Sequence, residues 1–296
     1  MTTQLSANPA TAPEGGFGTH GAQSDASPQA PRSALTFDGV LRSEWIKLLS
    51  LRSIRWSIVA ALLVSLAGAG FMAFAVAGTE YATPEAMPGM LVQSATIGTI
   101  FTVLILGVLG VLSASSEYAS GMILSTLAAV PGRTPVFLAK GLVVAAVGFV
   151  VAALGAFGGA LIAALILGGD ALAALGTPEV FGSLLSTSVY LMLATMFSFG
   201  IGLLLRSSAG GISTMVVVFF VLPIVFQIMM MTGWEWVTTV ADWLPTSLGN
   251  TLAQAPMGDP NSDGGVSYWG ALGGLAAWAA AALAPAAILF KTRDAV

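Results

Sequence analysis

Residues 115–140, SSEYASGMILSTLAAVPGRTPVFLAK, separate two long apolar runs and decide how the rest of the chain must fold. The segment is too polar to cross a bilayer, but it has a helical pattern. One face carries an apolar stripe formed by Ile123, Leu124, Leu127 and Val130. The other face carries Glu117, Tyr118, Gly121, Ser125 and Thr126, and Pro131-Gly132 ends the pattern. We therefore predict a short amphipathic helix over residues 117–130, which either rests on lipid headgroups or docks a partner.

The composition of the whole chain excludes a soluble globular domain. Hydrophobic residues make up 56% of the chain and charged residues 8%, against about 25% charged residues in an ordinary soluble protein. The chain contains no cysteine, which excludes disulfides, thiolate metal sites and cysteine catalysis. These proportions predict an all-α integral membrane protein.

Residues 1–35 differ in composition from everything that follows them. They are rich in Ala, Pro, Ser, Gly and Thr and have no apolar period, so they cannot bury enough surface to offset the entropy of ordering. They also lack the basic start and apolar core of a signal peptide. We predict a disordered tail over residues 1–35, with His20 as a solvated side chain, and a membrane domain over residues 36–296.

Six apolar segments are long enough to cross a bilayer, whose core of about 30 Å requires about 20 helical residues. The predicted spans are 56–78, 91–113, 141–167, 183–205, 212–231 and 268–290, and their cores contain no Asp, Glu, Lys, Arg or His. Thr134-Pro135 and Thr177-Pro178 each have the residue types of a helix cap followed by the first helical position. These two pairs predict the starts of the third and fourth spans.

The basic residues fix the orientation of this six-span arrangement. All ten fall on one side of it: Arg32, Arg42, Lys47, Arg52, Arg55, Arg133, Lys140, Arg206, Lys291 and Arg293. The loops on the other side contain acidic residues and no Lys or Arg. Since positive residues concentrate on the cytoplasmic side, we predict a multi-pass protein of the plasma membrane with both termini in the cytoplasm.

A second amphipathic segment, FDGVLRSEWIKLLSLRS at residues 37–53, precedes the first span. Its apolar face carries Phe37, Val40, Leu41, Trp45, Leu48 and Leu49, and its polar face carries Asp38, Arg42, Ser43, Lys47 and Ser50. Trp45 and Leu48 on the apolar face and Lys47 on the polar face suit a helix at the interface of an anionic bilayer. We predict an N-terminal interfacial helix; the simpler alternative is an anchor with no further role.

The sequence lacks the groups for catalysis or for uphill transport by this chain alone. The uncharged spans offer no proton relay, and no set of catalytic side chains can be assembled. A phosphate-binding loop requires a Gly-rich turn followed by Lys and Ser/Thr, but the only Lys-Thr pair, Lys291-Thr292, follows Phe290. We expect no catalytic residue, metal or cofactor in this chain and no nucleic-acid partner. Another chain must supply the energy for uphill transport.

Three stretches resemble the permeases of ABC-2 type transporters, the membrane subunits of export-type ABC transporters. They are LRSEWIKLLSLRS at residues 41–53, SSEYASGMILSTLAAVPGR at 115–133 and WLPTSL at 243–248, and the resemblance covers residues 37–296. One departure is Ala119, where many relatives carry a basic residue. The resemblance implies six spans, an interfacial helix before the first, and a cytoplasmic coupling helix between the second and third.

The resemblance also implies partners and site residues. The coupling helix would sit in a cleft of an ABC ATPase subunit, which would bind ATP and Mg²⁺. The residues for this contact would be Glu117, Tyr118, Ser120, Gly121, Leu124 and Arg133. A second permease subunit, identical or related, would complete the pathway across the lipid bilayer. Residues 232–266 would form short re-entrant helices before the last span; the alternative is an ordinary loop with an aromatic belt.

Several residues inside the spans are candidates for packing or for the translocation path. Gln227 is the most polar side chain of the fifth span, one turn after Pro223; it lines a substrate path or makes an interhelical hydrogen bond. The pairs Gly155/Gly159 and Gly270/Gly274 are spaced for close helix packing, which we expect within one subunit. The sequence favours a permease subunit of an ATP-driven exporter. The alternatives are a noncatalytic membrane scaffold or sensor and, disfavoured by the uncharged spans, a secondary transporter.

Overall fold

A computed structural model describes residues 36–79, 83–122, 133–258 and 265–292, and this part of the chain is helical, with no β-strand. The predicted tail over residues 1–35 and most of the predicted loop helix over residues 117–130 lie outside the described residues. The helices are α1 (Phe37–Ser50), α2 (Arg52–Val76), α3 (Met87–Thr96), α4 (Thr99–Ala119), α5 (Arg133–Leu167), α6 (Gly169–Ala174), α7 (Pro178–Leu205), α8 (Ser208–Val216), α9 (Leu222–Met230), α10 (Glu235–Asp242), α11 (Pro245–Gln254) and α12 (Tyr268–Thr292).

Six helical stretches of the described residues are long and apolar enough to cross a membrane, which confirms the predicted all-α, six-span architecture. They are Arg52–Val76, Met87–Ala119, Arg133–Leu167, Pro178–Leu205, Ser208–Met230 and Tyr268–Thr292. The Thr177 hydroxyl accepts a hydrogen bond from the Val180 backbone N–H, so the predicted cap of the fourth span is confirmed. The prediction for Thr134 is wrong, because the third span is already helical at Arg133.

The second span is broken in its N-terminal half, between α3 and α4. The break lies at Ile97–Gly98, and the Thr99 hydroxyl donates to the Thr96 carbonyl across it. A Cβ at Gly98 would lie 2.9 Å from the Cα atom of Ser65 in α2. Glycine therefore lets the broken backbone lie directly on the first span. The sequence analysis predicted an unbroken span here.

Close contacts between spans show how the helices run. In α4 and α7, Gly110 meets Thr195 and Gly202 meets Ala114, so these helices are parallel. In α7 and α12, Ser186 lies 3.3 Å from the Tyr268 hydroxyl and Gly200 meets Ala282, so these are parallel as well. The second, fourth and sixth spans therefore run in one direction, with α7 at the centre against α4, α5 and α12.

The first and third spans also run parallel to each other. In α5, Gly155 packs against Ser65 and Gly159 against Ala69, both in α2. In α12, Gly274 packs against Leu248 of α11. These contacts confirm the expectation that Gly155, Gly159 and Gly274 pack helices within one subunit; Gly270 instead faces Ser267 of its own segment.

The fifth span is the least buried of the six. It consists of α8, a π-helical turn at Val217–Val221, and α9, none of whose residues is buried. Pro223 lies in the first turn of α9 and has no backbone N–H to donate. The wider π turn just before Pro223 is where the hydrogen-bond ladder adjusts to that loss.

Two short helices and a 3-10 turn at Ala255–Met257 lie between the fifth and sixth spans. The second of these helices, α11, packs between α7 and α12. Gly249 lies against the Tyr190 ring, where an added Cβ would come within 2.6 Å of a ring carbon. The Trp278 indole N–H donates to the Trp243 carbonyl at 3.0 Å and fixes the turn before α11. A re-entrant position for these helices stays a prediction.

Candidate coupling site

Four charged side chains from α1, α4 and α5 meet at one end of the bundle and form an ionic cluster. Lys140 Nζ lies 2.6 Å from Glu44 Oε2 and 2.7 Å from Glu117 Oε1. Lys47 Nζ lies 2.8 Å from Glu44 Oε1 and 3.7 Å from Glu117 Oε1. Glu44, Glu117 and Lys140 are each less than 10% exposed. The cluster therefore joins three helices through buried, balanced charge.

The local sequence explains how each charge reaches this point. Glu44 lies one turn from Val40 and one turn from Leu48, and all three face the bundle. Glu117 is in the last turn of α4, and Lys140 is in the second turn of α5. Glu117 and Lys140 therefore lie near the ends of their helices, and all four charges lie outside the uncharged cores of the spans.

Electrostatics favour the charged form of Glu44. Burial opposes its ionisation, but attraction and hydrogen bonds from Lys140 and Lys47 outweigh burial and hold the pKa of Glu44 below its ordinary value. Two carboxylates and two ammonium groups balance within the cluster. Buried charges of this kind are tolerated when they are paired, and removing one partner leaves an uncompensated charge.

A cavity of about 310 Å³ borders the cluster. Its lining includes the four charged side chains together with Ser113, Ser116, Ser120 and Met122. The Glu117 Oε2 atom is buried and makes no hydrogen bond within the described residues, although Oε1 of the same carboxylate is paired with Lys140. The cluster thus borders a cavity that is lined partly by hydroxyl groups.

The end of α4 lies next to the end of α7. The Arg206 guanidinium carbon is 5.0 Å from the centroid of the Tyr118 ring, a cation–π contact between the second and fourth spans. The Ser120 hydroxyl donates to the Ser116 carbonyl at 2.8 Å, and Ser120 is exposed. Gly121 follows with φ 71°, and nothing would lie within 4 Å of a Cβ there. The chain therefore leaves α4 through an exposed turn that favours glycine.

Arg133, at the start of α5, reaches the end of the sixth span. Its Nη1 donates to the carbonyls of Phe290 and Lys291 at 3.4 and 3.3 Å. These carbonyls belong to the last turn of α12, where a cation also interacts favourably with the helix dipole. The connection between the second and third spans is thus held at both ends, by Tyr118 on one side and Arg133 on the other.

The structure separates the residues predicted for ATPase coupling into three groups. Glu117 is inside the protein, so the expectation that it lies on the exposed face of a loop helix is corrected: residues 117–119 belong to α4. Tyr118 and Arg133 are partly buried, while Ser120 and Gly121 are exposed. Leu124 lies outside the described residues.

The N-terminal segment forms the predicted helix, but its apolar residues divide into two sets. Leu48 is buried against the bundle, whereas Trp45 is 43% exposed. Lys47 turns toward Glu44 rather than away from the protein. α1 packs mainly on α5 and is separated from α2 by Leu51, which has extended backbone angles. Trp45 is placed where it could contact lipid, and the interfacial position stays a prediction.

The two residues predicted for the translocation path lie away from this site. Gln227 is exposed and Pro223 is partly exposed, both on α9. The Gln227 amide makes no hydrogen bond within the described part of the chain. The interhelical hydrogen bond considered for Gln227 is therefore not formed among the described residues.

Sequence reasoning missed Glu44 and the role of Lys140. One signal was present for Glu44, because it interrupts the apolar positions Val40 and Leu48 on one helical face. Lys140 was counted only as a basic loop residue, although the helix was predicted to begin before it. Pairing them required knowledge of which helices are neighbours, which a single sequence does not contain.

A comparison with protein-family models identifies the chain. The model described as ABC-2 family transporter protein matches residues 40–223, more than half of the chain. The matched range begins within α1 and includes all four members of the ionic cluster. No curated protein matches the sequence. The chain belongs to the ABC-2 family of transporter proteins, whose members are membrane subunits rather than catalytic chains.

Proposed function

We propose that this chain is the permease subunit of an ATP-driven exporter in the plasma membrane, and that it couples to a separate ATPase at the end of α4. The observation that carries the proposal is the buried Lys140–Glu117 pair at 2.7 Å. It joins the second and third spans on both sides of the connection at which the family resemblance places ATPase docking. A displacement of that connection would therefore move both spans together.

The remaining contacts would distribute the same displacement to other helices. The Lys140–Glu44 pair would move α1 together with α5, and the Tyr118–Arg206 contact would move α7 together with α4. The hydrogen bonds of Arg133 would move the end of α12 together with the start of α5. Because buried ionic contacts hold their partners in a specific geometry, the end of the bundle would respond as one body rather than as separate loops.

The other parts of the transporter follow from this assignment. The ATPase subunit would bind ATP and Mg²⁺, since the energy must come from outside this chain. A second permease subunit, identical or related, would face this one across the pathway. The end of the bundle with the ionic cluster also carries Arg133, Arg206 and Lys291, and by the positive-inside rule it faces the cytoplasm. Both termini would then be cytoplasmic.

Purification from the native membrane tests the proposal. The tagged chain should co-purify with an ATPase that has a phosphate-binding loop, and the complex should hydrolyse ATP in a vanadate-sensitive manner. Vesicles that contain the complex should move substrate only with ATP. If no ATPase co-purifies under mild detergent, the proposal is wrong. An ATPase that binds without ATP-dependent transport would instead favour a membrane scaffold or sensor.

A further inference from the structure

A groove on the outer half of the bundle lies between α3, α4, α7 and α11. Its volume is about 800 Å³, within the range of about 300–1,000 Å³ typical of small-molecule sites. It forms where the second span is broken at Ile97–Gly98 and where α11 packs on Tyr190. The ionic cluster lies at the opposite end of α4, so the groove and the proposed coupling site share the second span.

The lining that the described residues give the groove is polar and contains no charged side chain. Eight residues provide hydroxyl or amide groups: Gln93, Thr96, Thr99, Thr187, Tyr190, Asn250, Thr251 and Gln254. The apolar part of the lining is formed by Val92, Ile97, Ile100, Ala253 and Met257. An ionic ligand would therefore lose hydration against these described residues without meeting a counter-charge among them, which is costly.

The amide and phenol groups of the groove are available to a ligand. Within the described residues, Gln93, Asn250 and Gln254 make no side-chain hydrogen bond, and neither does the Tyr190 hydroxyl. Tyr190 is only 5% exposed, but its hydroxyl is not one of the fully buried atoms that lack a partner, so this oxygen faces the groove. An unpartnered hydroxyl in the wall of a groove indicates that a bound molecule or water completes its hydrogen bonding.

The threonines of the groove contribute mainly acceptors. Thr187 and Thr251 donate their hydroxyl protons to backbone carbonyls one turn earlier, as do Thr96 and Thr99 to carbonyls in their own segment. Their lone pairs remain for donors of a ligand. Amides and the tyrosine hydroxyl both donate and accept. The groove therefore suits ligands with hydroxyl and amide groups, because these groups also donate and accept hydrogen bonds.

We propose that this groove binds uncharged amphiphiles whose polar part carries hydroxyl or amide groups. The apolar wall would contact the body of such a molecule, and Tyr190, Gln93, Asn250 and Gln254 would contact its polar part. That these molecules are also the class exported rests on the proposed function. The binding itself does not require an ATPase.

Photolabelling tests the binding directly. The full-length chain in lipid nanodiscs is labelled with octyl glucoside that carries a diazirine in its alkyl chain, and the labelled peptides are identified by mass spectrometry. Label is expected in α3, α7 and α11, and unlabelled octyl glucoside should compete at least about tenfold better than octyl sulfate or octyltrimethylammonium. Equal competition by the charged amphiphiles would overturn the proposal.

Substitutions test whether the amphiphile binds in this groove or on the fifth span. Asn250→Leu with Gln254→Leu should weaken labelling about tenfold, which corresponds to about 1.4 kcal/mol. Tyr190→Phe keeps the ring against Gly249 and should weaken labelling several-fold, because it removes one hydrogen bond to the ligand. Gln227→Leu is the matched control, because it removes an exposed amide outside the groove. The result that overturns the proposal is unchanged labelling of Tyr190→Phe or a larger loss in Gln227→Leu.

The two proposals fail in different ways. If the groove assignment were wrong, charged and neutral amphiphiles would compete equally in the chain alone, or the label would appear outside the groove, while the ATPase would still co-purify. Loss of the exporter assignment would appear as the absence of an ATPase, while neutral amphiphiles still labelled the groove.

Discussion

The Lys140 ammonium donates a hydrogen bond of 2.7 Å to the Glu117 carboxylate, and the two residues lie on opposite sides of the connection between the second and third spans. Both side chains are buried, and Lys140 also pairs with Glu44 of α1. A single ammonium group therefore holds three helices at one end of the bundle.

Lys140→Met should strongly destabilise the protein, because it leaves Glu117 and Glu44 with only Lys47 nearby. Breaking a buried ion pair by removal of one partner costs about 3–5 kcal/mol. Adding Glu117→Gln should recover much of this loss, since Glu44 and Lys47 then remain as a neutral pair at 2.8 Å. Thermal unfolding in detergent measures both effects, completed as a double-mutant cycle.

Lys291→Met provides the control for Lys140, because it makes the same change at an exposed side chain. We expect little change in its unfolding temperature. If Lys140→Met and Lys291→Met were equally mild, or if the second substitution gave no recovery, the cluster would not stabilise the bundle.

The pH dependence of stability should depend on Glu44. Its pKa in the folded protein lies below its ordinary value of 4.5, so the folded state binds fewer protons than the unfolded state in this range. The stabilisation is fully present above the ordinary pKa and is lost as the pH falls through the lower folded pKa. The groups facing Glu44 are Lys140 and Lys47, with Glu117 on the far side of both.

Glu44→Gln isolates this contribution. The difference in unfolding temperature between the unmodified protein and the variant should be constant from pH 7 to about 5 and should shrink below that, because protonated glutamic acid resembles glutamine. A difference that stays constant down to pH 3 would contradict ionisation of Glu44 in the cluster.

The contact of α4 with α7 should not tolerate even a methyl group at Gly110. An added Cβ would lie 2.5 Å from the Thr195 carbonyl oxygen and 3.0 Å from the Phe199 backbone nitrogen, and backbone atoms of a packed helix cannot move aside. We expect Gly110→Ala to cost about 1–3 kcal/mol, the usual range for overpacking.

Gly273→Ala is the matched control in α12, where nothing lies within 4 Å of the added Cβ. This substitution should be neutral or stabilising, since alanine favours a helix by up to about 1 kcal/mol over glycine. The comparison is made by size-exclusion profile and unfolding temperature in the same detergent. Equal behaviour of the two variants would show that α4 and α7 are not packed this closely.

The sequence was sufficient to predict the number of spans and the grouping of basic residues, because both depend on composition along the chain. Hydropathy alone identified the span cores, including the one that contains Gly155 and Gly159. It did not predict the break at Ile97–Gly98, although Thr96, Gly98 and Thr99 lie there. Such residues also occur within unbroken spans, and this break depends on contact with Ser65. Breaks of this kind are determined by tertiary packing.

The candidate coupling site was predicted less well than the fold. The sequence indicated the right connection, but a polar residue beside a span can point inward as well as outward. Glu117 was expected to face a partner and instead faces Lys140. Glu44 lies 73 residues before Glu117 in the sequence, and Lys140 lies 23 residues after it. Only the packed structure brings these charges together.

The orientation across the membrane can be tested by cysteine labelling, because the native chain has no cysteine. Cysteines at Thr83 and Asp259 should react with an impermeant maleimide on intact cells, and a cysteine at Ser125 should react only after the cells are permeabilised. The loops that contain the first two positions carry acidic residues and no Lys or Arg. Labelling of Ser125→Cys from outside would contradict cytoplasmic placement of the basic end.

A large side chain placed at the end of α4 should block ATPase docking without disturbing the fold. Ser120 is exposed and lies beside Gly121, outside the buried cluster. Ser120→Trp is therefore expected to insert and unfold normally but to lower the amount of co-purified ATPase and the rate of ATP-dependent transport several-fold. The exposed position distinguishes this test from any substitution of Glu117, which would disrupt the cluster first.

Thr79→Trp is the matched control at the opposite end of the bundle. Thr79 is also an exposed hydroxyl residue just after a span, and its hydroxyl donates to the Val76 carbonyl much as Ser120 donates to Ser116. Because Thr79 lies on the proposed outer side, Thr79→Trp should leave ATPase binding and transport unchanged. If Ser120→Trp bound its ATPase and transported as well as Thr79→Trp, the ATPase would dock elsewhere, and the end of α4 would have only a structural role.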